Sequence, residues 1–406
     1  MGEHVIVIGG GAAGFFCAVN AARMNPSLKV TLLEKSQKLL SKVRISGGGR
    51  CNVTHACFDI PELVKKYPRG KNFVKRAFHH FSTQGTIDWF KERGVEIVAE
   101  EDGRMFPAAN TSEAIINCLL DEADKYKVEI QLKSDVVNIE KSGDKFILTL
   151  SDGRNISADK VCITSGGFPK AEQFDWIRKT GHTIADPVPS LFTFNIPDHP
   201  ITSLMGVAVE DAMVRINQTS LKERGPVLIT HWGLSGPAVL KLSAWGARIL
   251  HQLDYSFSIQ LNWIPLYTEE TLRVFIIDYR TYNGSVFIGS KNPFGLPHRL
   301  WQYLLLDSAI MLQTRWSDLP VKQQNVLIQQ LCSYPMEVKG KTTFKEEFVT
   351  AGGVTLTEVD VNTMQSKIVP GLFFAGEVLD VDGVTGGFNF QHAWTSGWIA
   401  AKAISE

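Results

Sequence analysis

The feature that most constrains the fold is a short apolar run that leads directly into a glycine-rich turn. Residues 5–8 are Val-Ile-Val-Ile, and Gly9, Gly11 and Gly14 follow at the G-x-G-x-x-G spacing. The first glycine permits a tight turn, the second lets the backbone approach a pyrophosphate, and the third lets a helix pack against the strand. We therefore predict a strand, a turn and a helix whose N-terminus binds a dinucleotide phosphate.

A second strand that ends in an acid supports this interpretation. Residues 29–33 are Lys-Val-Thr-Leu-Leu, and Glu34 follows directly. In the dinucleotide-binding motif an acid at this point accepts hydrogen bonds from the hydroxyls of the adenosine ribose. Because a carboxylate there disfavours a 2′-phosphate, the pattern indicates FAD or NAD rather than NADP. The alternative interpretation is a surface glutamate at the end of a strand.

Three consecutive glycines at 47–49 form a second candidate contact with a ligand. They maximise backbone entropy and bury nothing, so packing does not explain them. We expect Arg50 and Asn52 to face the ligand. Lys42 and Arg44 lie nearby in the sequence and are candidate phosphate partners. A surface turn is the alternative.

Two further apolar runs end in glycine, at 160–167 and at 371–376. A parallel sheet brings strand ends of this kind to a bound nucleotide. After the second run, a glycine-rich loop at 380–391 leads into a helix that we predict from 392 to 404, and such a helix N-terminus attracts anions. We therefore expect both ends of the chain to bind a single dinucleotide.

Length and charge restrict the class of protein. The 406 residues are enough for two or three domains. Lys plus Arg equals Asp plus Glu at 42 each, so no overall field attracts nucleic acid or an anionic membrane. We see no signal peptide and no apolar run that could span a membrane. The six cysteines are scattered without metal-ligand spacing, which indicates reduced thiols in the cytoplasm and no metal site.

One local segment departs from this charge balance. Residues 65–76 contain six basic residues and no acid, with Tyr67 and Phe73 inside the segment and Phe78 just after it. Such a pattern is typical of a surface that follows a phosphate backbone and stacks bases on aromatic rings. The alternative is a solvated basic face, which the neutral total charge favours.

The middle of the chain has a different pattern, with short strand-like runs punctuated by proline and then apolar residues at helical spacing. We predict an α/β fold in which an insertion interrupts a Rossmann-like dinucleotide-binding domain. The dinucleotide-binding domain comprises 1–188 and 350–406, and the insertion comprises a β-barrel domain at 189–265 and 335–349 and a helical subdomain at 266–334.

Five stretches spread over nearly the whole chain carry a family resemblance. They are VIVIGGGAAGFF at 5–16, ISGGGRCNVT at 45–54, ITHWGLSGPAVL at 229–240, TAGGV at 350–354 and VPGLFFAGEVLDVDGVTGGFNFQHAW at 369–394. Together they resemble the YhiN-like, or BaiN-type, NAD(P)/FAD-dependent oxidoreductases. The resemblance implies an FAD domain of the glutathione-reductase type, with FAD as cofactor and NAD(P)H as a transient reductant.

The resemblance also implies which residues contact each part of the cofactor. These are Gly9, Gly11, Ala13 and Gly14 at the pyrophosphate; Glu34 at the adenosine ribose; Gly49, Arg50, Cys51 and Asn52 on the flavin side; Gly376, Glu377 and Asp382 at the ribityl chain and phosphate; and Gly387, Phe388, Asn389 and Gln391 at the isoalloxazine. The residue pattern adds further candidates, which are Ala12, Lys35, Lys42, Gly48, Thr164, Gly166, Gly167, Gly386, and Val136 or Val137 over the adenine.

The relatives are associated with reduction of conjugated C=C bonds in steroid-like acids, with dihydrouridine formation in ribosomal RNA and with amine oxidation. We therefore expect an FAD-dependent oxidoreductase that takes hydride from NAD(P)H and reduces a conjugated C=C bond of a small-molecule acceptor. Alternatives are uridine reduction in ribosomal RNA, amine oxidation and a non-enzymatic FAD-binding scaffold. The sequence does not indicate an oligomeric state.

Reduction of a C=C bond also needs a proton donor. The candidate donors are His231, Ser235, Cys51 and His392, each of which a structural role would also explain. His231 is favoured because it stands just before the Gly-Leu-Ser-Gly-Pro stretch. The chain departs from the family pattern at 168–175, where polar and aromatic residues replace a glycine-rich segment.

Overall fold

The computed structural model describes residues 2–342 and 349–406 of the chain, which fall into two compact units. The first unit contains residues 2–190 and 349–406, and the second contains residues 191–342. The predicted separation of the insertion into a barrel and a helical part stays a prediction. Residues 343–348, within the predicted barrel segment, lie outside the described residues.

The described residues form strands and helices that we number in chain order. The strands are β1 His4–Ile8, β2 Lys29–Leu33, β3 Thr54–His55, β4 Ile97–Ala99, β5 Arg104–Pro107, β6 Glu129–Gln131, β7 Val136–Ser142, β8 Lys145–Leu150, β9 Asn155–Ala158, β10 Lys160–Ile163, β11 Ile184–Ser190, β12 Thr193–Asn195, β13 Ala208–Ile216, β14 Lys222–Thr230, β15 Gly233–Ser235, β16 Ser256–Asn262, β17 Tyr334–Lys339, β18 Lys341–Thr342, β19 Val349–Val354 and β20 Leu372–Phe374. The helices are α1 Ala12–Met24, α2 Ser41–Gly49, α3 Ile60–Leu63, α4 Lys71–Ala77, α5 Thr83–Lys91, α6 Glu113–Lys125, α7 Asp175–Arg178, α8 Pro237–Gln252, α9 Glu269–Asn283, α10 His298–Asp307, α11 Val321–Cys332 and α12 Phe388–Ser405. None of the helices in these ranges has the length and apolarity needed to cross a bilayer.

The centre of the first unit is a parallel five-stranded sheet in the order β20-β10-β1-β2-β6. The strand β1 pairs with both of its neighbours, with Val5 opposite Val30 on one side and Lys160 on the other. Its apolar residues are buried, as expected for a parallel strand covered on both faces. The helix α1 packs on α12 so closely that a Cβ on Gly397 would lie 2.7 Å from the Ala13 carbonyl oxygen. The predicted α/β class with a Rossmann-like sheet is confirmed.

Two further predictions from the sequence, a helical segment at 62–94 and a small antiparallel sheet of strands at 129–132, 136–141 and 146–150, are wrong in part. Residues 62–94 are not one helical stretch. Pro68 lacks an N–H and Gly70 has a φ of 75°, which separates α3 from α4, and α5 begins after a second break at 78–82. Residues 129–132 do not belong to the small antiparallel sheet, which is β7-β8-β9. The strand β6 instead pairs in parallel with β2, because the preceding helix α6 makes the crossover that a parallel strand needs.

The second unit is built on an antiparallel seven-stranded sheet in the order β17-β16-β13-β14-β15-β12-β18. Its two outermost strands are consecutive in the chain and are joined only by Gly340, whose N–H donates to Tyr255 O at 2.8 Å while its carbonyl accepts from Asn195 N at 3.1 Å. The sheet therefore curls back toward its own edge, in the region where the sequence predicts a barrel. Helices α8 to α11 complete a core in which Trp301 and Trp316 are fully buried.

Candidate dinucleotide-binding active site

Four predicted cofactor residues lie at the carboxyl edge of the parallel sheet. Gly9 follows β1, Glu34 follows β2, Thr164 follows β10, and Gly376 comes soon after β20. These four strands are neighbours in the sheet, so residues from positions 9 to 376 of the chain come to one edge. Ligands of open α/β sheets bind at this edge. The structure thus brings the two ends of the chain to one candidate site.

The glycines of the first turn have different surroundings. A Cβ on Gly14 would lie 1.9 Å from Gly9 O and 2.6 Å from the Thr164 hydroxyl, so only glycine fits there. The Thr164 hydroxyl donates to Ile8 O at 2.8 Å and holds the end of β1. In contrast, a Cβ on Gly11 would meet no described atom within 4 Å. Gly14 is therefore required by packing, whereas Gly11 leaves space open at the N-terminus of α1.

The carboxylate of Glu34 is held rigidly beside a cavity. It accepts hydrogen bonds from Gly10 N and Ser36 N, each at 2.8 Å, one on each oxygen. Each oxygen keeps capacity for a further donor, such as a ribose hydroxyl. The cavity has a volume of about 350 Å³, within the range of small-molecule sites. Its lining includes five predicted cofactor residues, which are Gly9, Glu34, Lys35, Val136 and Val137.

Three polar atoms at this edge are buried and have no hydrogen-bond partner among the described residues. They are Ser165 Oγ, which follows β10 and whose residue lines the cavity, Thr350 Oγ1 and His392 Nδ1. Thr350 lies against Gly167, where a Cβ would come within 2.5 Å of Oγ1. Folded proteins almost always satisfy buried polar atoms, so a polar ligand or water would complete the hydrogen bonding of these three. The hydroxyl and phosphate groups of FAD can supply these hydrogen bonds, and the residues present therefore fit FAD.

The second glycine cluster and the terminal loop form one piece of structure. The Asn52 amide, in the orientation that satisfies both neighbours, donates to Thr54 O and accepts from Gly387 N, each at 3.0 Å. Gly387 has a φ of 92°, and a Cβ on it would lie 2.4 Å from Thr54 O. The His55 ring lies 4.7 Å from that of Phe388, at the start of α12. Residues 52–55 and 386–388 are therefore in direct contact, and their contacts with the flavin stay predictions.

Comparison with known proteins identifies the family of this chain. Residues 3–403 match the family described as "HI0933-like protein Rossmann domain". The chain belongs to this family. It is 31% identical over 412 residues to the ribosomal RNA dihydrouridine synthase of Escherichia coli, covering 98% of this chain and 97% of that protein. It is 27% identical over 423 residues to the 3-dehydro-bile acid delta(4,6)-reductase of Clostridium scindens. That match covers 100% of this chain and 99% of the reductase.

A solved structure shows the same fold. The 3-ketosteroid-delta4-(5alpha)-dehydrogenase of Rhodococcus jostii matches with a TM-score of 0.52 at 13% identity, covering 100% of this chain and 97% of the other. At 13% identity, this structural similarity shows a shared fold and nothing about function. The family and the class of enzyme predicted from the sequence, an FAD-dependent oxidoreductase, are confirmed by the family match and its relatives.

Several predicted contact residues of this HI0933-like protein have their side chains engaged within the protein. Asn389 Oδ1 accepts from Gly383 N at 2.8 Å and its Nδ2 donates to Gly383 O at 2.9 Å. Gln391 is fully buried, accepts from the Thr54 hydroxyl at 2.6 Å and also bonds to two other threonines. Both side chains thus hold the loop in place. Their predicted contacts with the isoalloxazine stay predictions.

The predicted cations near the second glycine cluster are also paired. Lys42 Nζ lies 2.6 Å from Glu377 Oε2, and Glu377 in turn accepts from Thr350 N at 2.9 Å. Arg50 donates to Glu100 at 2.6 Å and its guanidinium lies 4.0 Å from the centre of the Phe106 ring. These pairs join segments that are far apart in the sequence. The predicted contacts of these side chains with FAD stay predictions.

A buried ion pair at the terminal loop was missed from the sequence. Asp382 is fully buried, its carboxylate accepts from both the Arg69 guanidinium and the Ser190 hydroxyl, and the Ser190 distance is 2.8 Å. Burial raises the pKa of Asp382, and the hydrogen bonds from Arg69 and Ser190 oppose that rise. Nothing in the sequence distinguishes Arg69 from the other five cations of its segment, except its position next to Pro68 and Gly70.

The four candidate proton donors lie in different surroundings. Cys51 is fully buried with a φ of 62°, and burial raises the pKa of its thiol to about 12. His392 is buried on α12, with Nε2 3.3 Å from Gly376 O. His231 and Ser235 belong to the second unit, where His231 is exposed in the turn between β14 and β15. The catalytic role of each stays a prediction.

Burial of His392 makes the stability of the folded protein decrease in acid. Burial lowers the pKa of its imidazole from 6.5 to about 4, so the folded protein binds fewer protons here than the unfolded chain between those values. Its stabilising contribution is complete above 6.5, falls by about 1.4 kcal/mol for each pH unit below that, and levels off below about pH 4. Urea titrations at several pH values measure the free energy of unfolding. We expect this free energy to fall less with decreasing pH in His392→Gln than in the wild type. The exposed His79→Gln serves as the control, and equal acid sensitivity of the two variants would contradict this role.

Proposed function

We propose that this protein is an FAD-dependent reductase that uses NAD(P)H to convert a uridine of ribosomal RNA to dihydrouridine. The observation that carries the proposal is the match to the Escherichia coli ribosomal RNA dihydrouridine synthase, at 31% identity over 98% of this chain. A second synthase of the same name, from Haemophilus influenzae, matches 98% of the chain at 28% identity. The site geometry supports the FAD component of this proposal.

A common reaction links the two kinds of relative. The C5=C6 bond of uracil is conjugated to the C4 carbonyl, and the name of the Clostridium scindens relative denotes a 3-keto acid with double bonds at C4 and C6. In uracil the hydride adds at C6 and a proton adds at C5, while NAD(P)H loses the hydride and becomes NAD(P)⁺. FAD, when bound, supplies the two-electron carrier between these partners.

We assign the parts of FAD to elements of the first unit. The cavity beside Glu34 takes the adenosine, with the carboxylate accepting from the ribose hydroxyls. The N-terminus of α1 at Gly11 takes the pyrophosphate. The N-terminus of α12 after Gly387 would face the isoalloxazine, where roughly half a positive charge would favour the reduced, anionic form of the flavin.

His231 stays the proposed proton donor. A thiol with a pKa of about 12 is a weak acid, and a buried imidazole with a pKa of about 4 carries no extra proton at neutral pH. Both observations count against Cys51 and His392 as donors. His231 and Ser235 are the remaining candidates, and His231 is exposed and therefore accessible to an acceptor. A cytoplasmic location stays a prediction.

The test is the reaction itself. Purified protein with FAD is incubated with ribosomal RNA transcribed in vitro and with NADH or NADPH, and the nucleosides are analysed by mass spectrometry. We expect a uridine to gain two hydrogen atoms only when reductant is present. A steroid 4,6-dien-3-one serves as the second substrate. Reduction of the dienone without any change in the RNA would overturn the RNA proposal in favour of a small-molecule reductase.

A further inference from the structure

A basic surface of the first unit is not explained by the FAD site. It consists of Lys66, Lys71, Lys75 and Arg76, and we refer to these four residues as the α4 basic face. All four are exposed. Among the described residues, no carboxylate lies within salt-bridge distance of any of them. The sequence contains no acid between positions 63 and 87. Lys65, by contrast, pairs with Glu62 at 2.5 Å.

Local structure places these cations on one side. In α4 the residues at 71, 72, 75 and 76 are exposed, while Phe73, Val74 and Ala77 are buried. Positions four apart on a helix lie next to each other, so Lys71 lies above Lys75 on the same face. The sequence predicts base stacking on interleaved aromatic rings, but Tyr67 and Phe78 are only 1% exposed. The surface therefore offers cations and not aromatic platforms.

The α4 basic face is attached to the loop assigned to the isoalloxazine. The Tyr67 hydroxyl donates to Phe388 O at 2.6 Å, and Val384 N donates to Lys66 O at 2.9 Å. The Arg69 and Asp382 ion pair makes a third connection between the same two segments. Residues 66–69 are thus bonded, through backbone and side chains, to residues 382–388, which form the loop before α12 and its first residue. A polyanion on this face would lie close to that loop.

We propose that the α4 basic face binds the sugar-phosphate backbone of ribosomal RNA beside the target uridine. This inference rests on the proposed function, because it names the surface that holds the RNA substrate. Exposed Lys and Arg bind phosphates without reading bases, and they make affinity depend on salt. The even balance of charge over the whole chain means that RNA attraction must come from a local surface of this kind.

The test compares two triple variants. Lys66→Gln, Lys71→Gln and Lys75→Gln remove three charges from the face, and Lys29→Gln, Lys127→Gln and Lys145→Gln remove three exposed charges elsewhere in the first unit. RNA affinity of the FAD-loaded proteins is measured from low to high salt. We expect the face variant to bind about tenfold more weakly at low salt, and its slope of log affinity against log salt to fall by about two to three. The control variant should match the wild type.

The outcomes separate the inference from the function on which it rests. Normal FAD content and normal reduction by NAD(P)H, with lower RNA binding and less dihydrouridine only in the face variant, support the proposal. Dihydrouridine formation by both variants at the wild-type rate overturns the surface assignment and leaves the function standing. If the wild type forms no dihydrouridine, the function fails. Binding of the face to anionic phospholipid vesicles but not to RNA would also overturn the proposal.

Discussion

Gly11→Val is expected to give a folded protein that binds FAD more weakly than the wild type. A Cβ at this position meets no described atom within 4 Å, and the backbone is extended with a φ of −93°, which valine adopts without strain. The added side chain would therefore occupy space that the account gives to the pyrophosphate. Overpacking of this kind costs about 1 to 3 kcal/mol, which corresponds to FAD affinity about 5 to 150 times weaker. Flavin fluorescence titration and circular dichroism measure the affinity and the fold.

A neighbouring glycine is the matched control for this prediction. A Cβ on Gly14 would lie 1.9 Å from Gly9 O, so Gly14→Ala is expected to damage the packing of α1 on β1 and to lower stability. The two variants thus separate loss of the ligand from loss of the fold. Gly11→Val protein with wild-type FAD affinity would show that the phosphate does not lie at the N-terminus of α1.

Arg69→Met is expected to destabilise the first unit by about 3 to 5 kcal/mol near neutral pH, because it leaves the Asp382 carboxylate buried without its cation. Burial already raises the pKa of Asp382, and the loss of Arg69 removes the main opposing cause. A group whose pKa is raised in the folded state favours folding in acid and loses that contribution as the pH rises. The deficit relative to the wild type should therefore grow as the pH rises from the acid range toward neutrality. Urea unfolding at several pH values measures it.

A double variant tests the cause of this loss. Arg69→Met with Asp382→Asn removes both charges, so most of the stability and most of the pH dependence should be restored. The Asn side chain still accepts a hydrogen bond from Ser190. If the double variant is as unstable as the single variant at neutral pH, then an uncompensated carboxylate is not the reason for the loss.

The sequence was sufficient to predict the residues that follow strands of the parallel sheet. The positions of Gly9, Glu34 and Gly376 at the sheet edge are predictable because apolar strands in dinucleotide-binding sheets end in glycines and, in one strand, in an acid. The order of neighbouring strands then follows from the dinucleotide-binding topology. Local pattern was therefore enough wherever the backbone itself forms the site.

The sequence was not sufficient where partners are far apart in the chain. Arg69 and Asp382 are separated by 313 positions, and the pattern around Arg69 resembles that of an exposed cation. Similarly, the aromatic rings near the basic segment face the interior because α12 packs there, with Tyr67 bonded to Phe388 O. Tertiary contacts of this kind decide which side of a short helix is buried, and spacing over seven residues does not reveal them.

The measurement that most directly tests the central claim is the FAD content of the purified protein. We propose that strand ends from both ends of the chain form a single FAD site in the first unit. We expect one FAD to be released per chain on denaturation of the wild type, and less FAD per chain to remain on Gly11→Val protein after the same desalting column. Wild-type protein that is colourless and takes up no FAD on reconstitution would contradict the account.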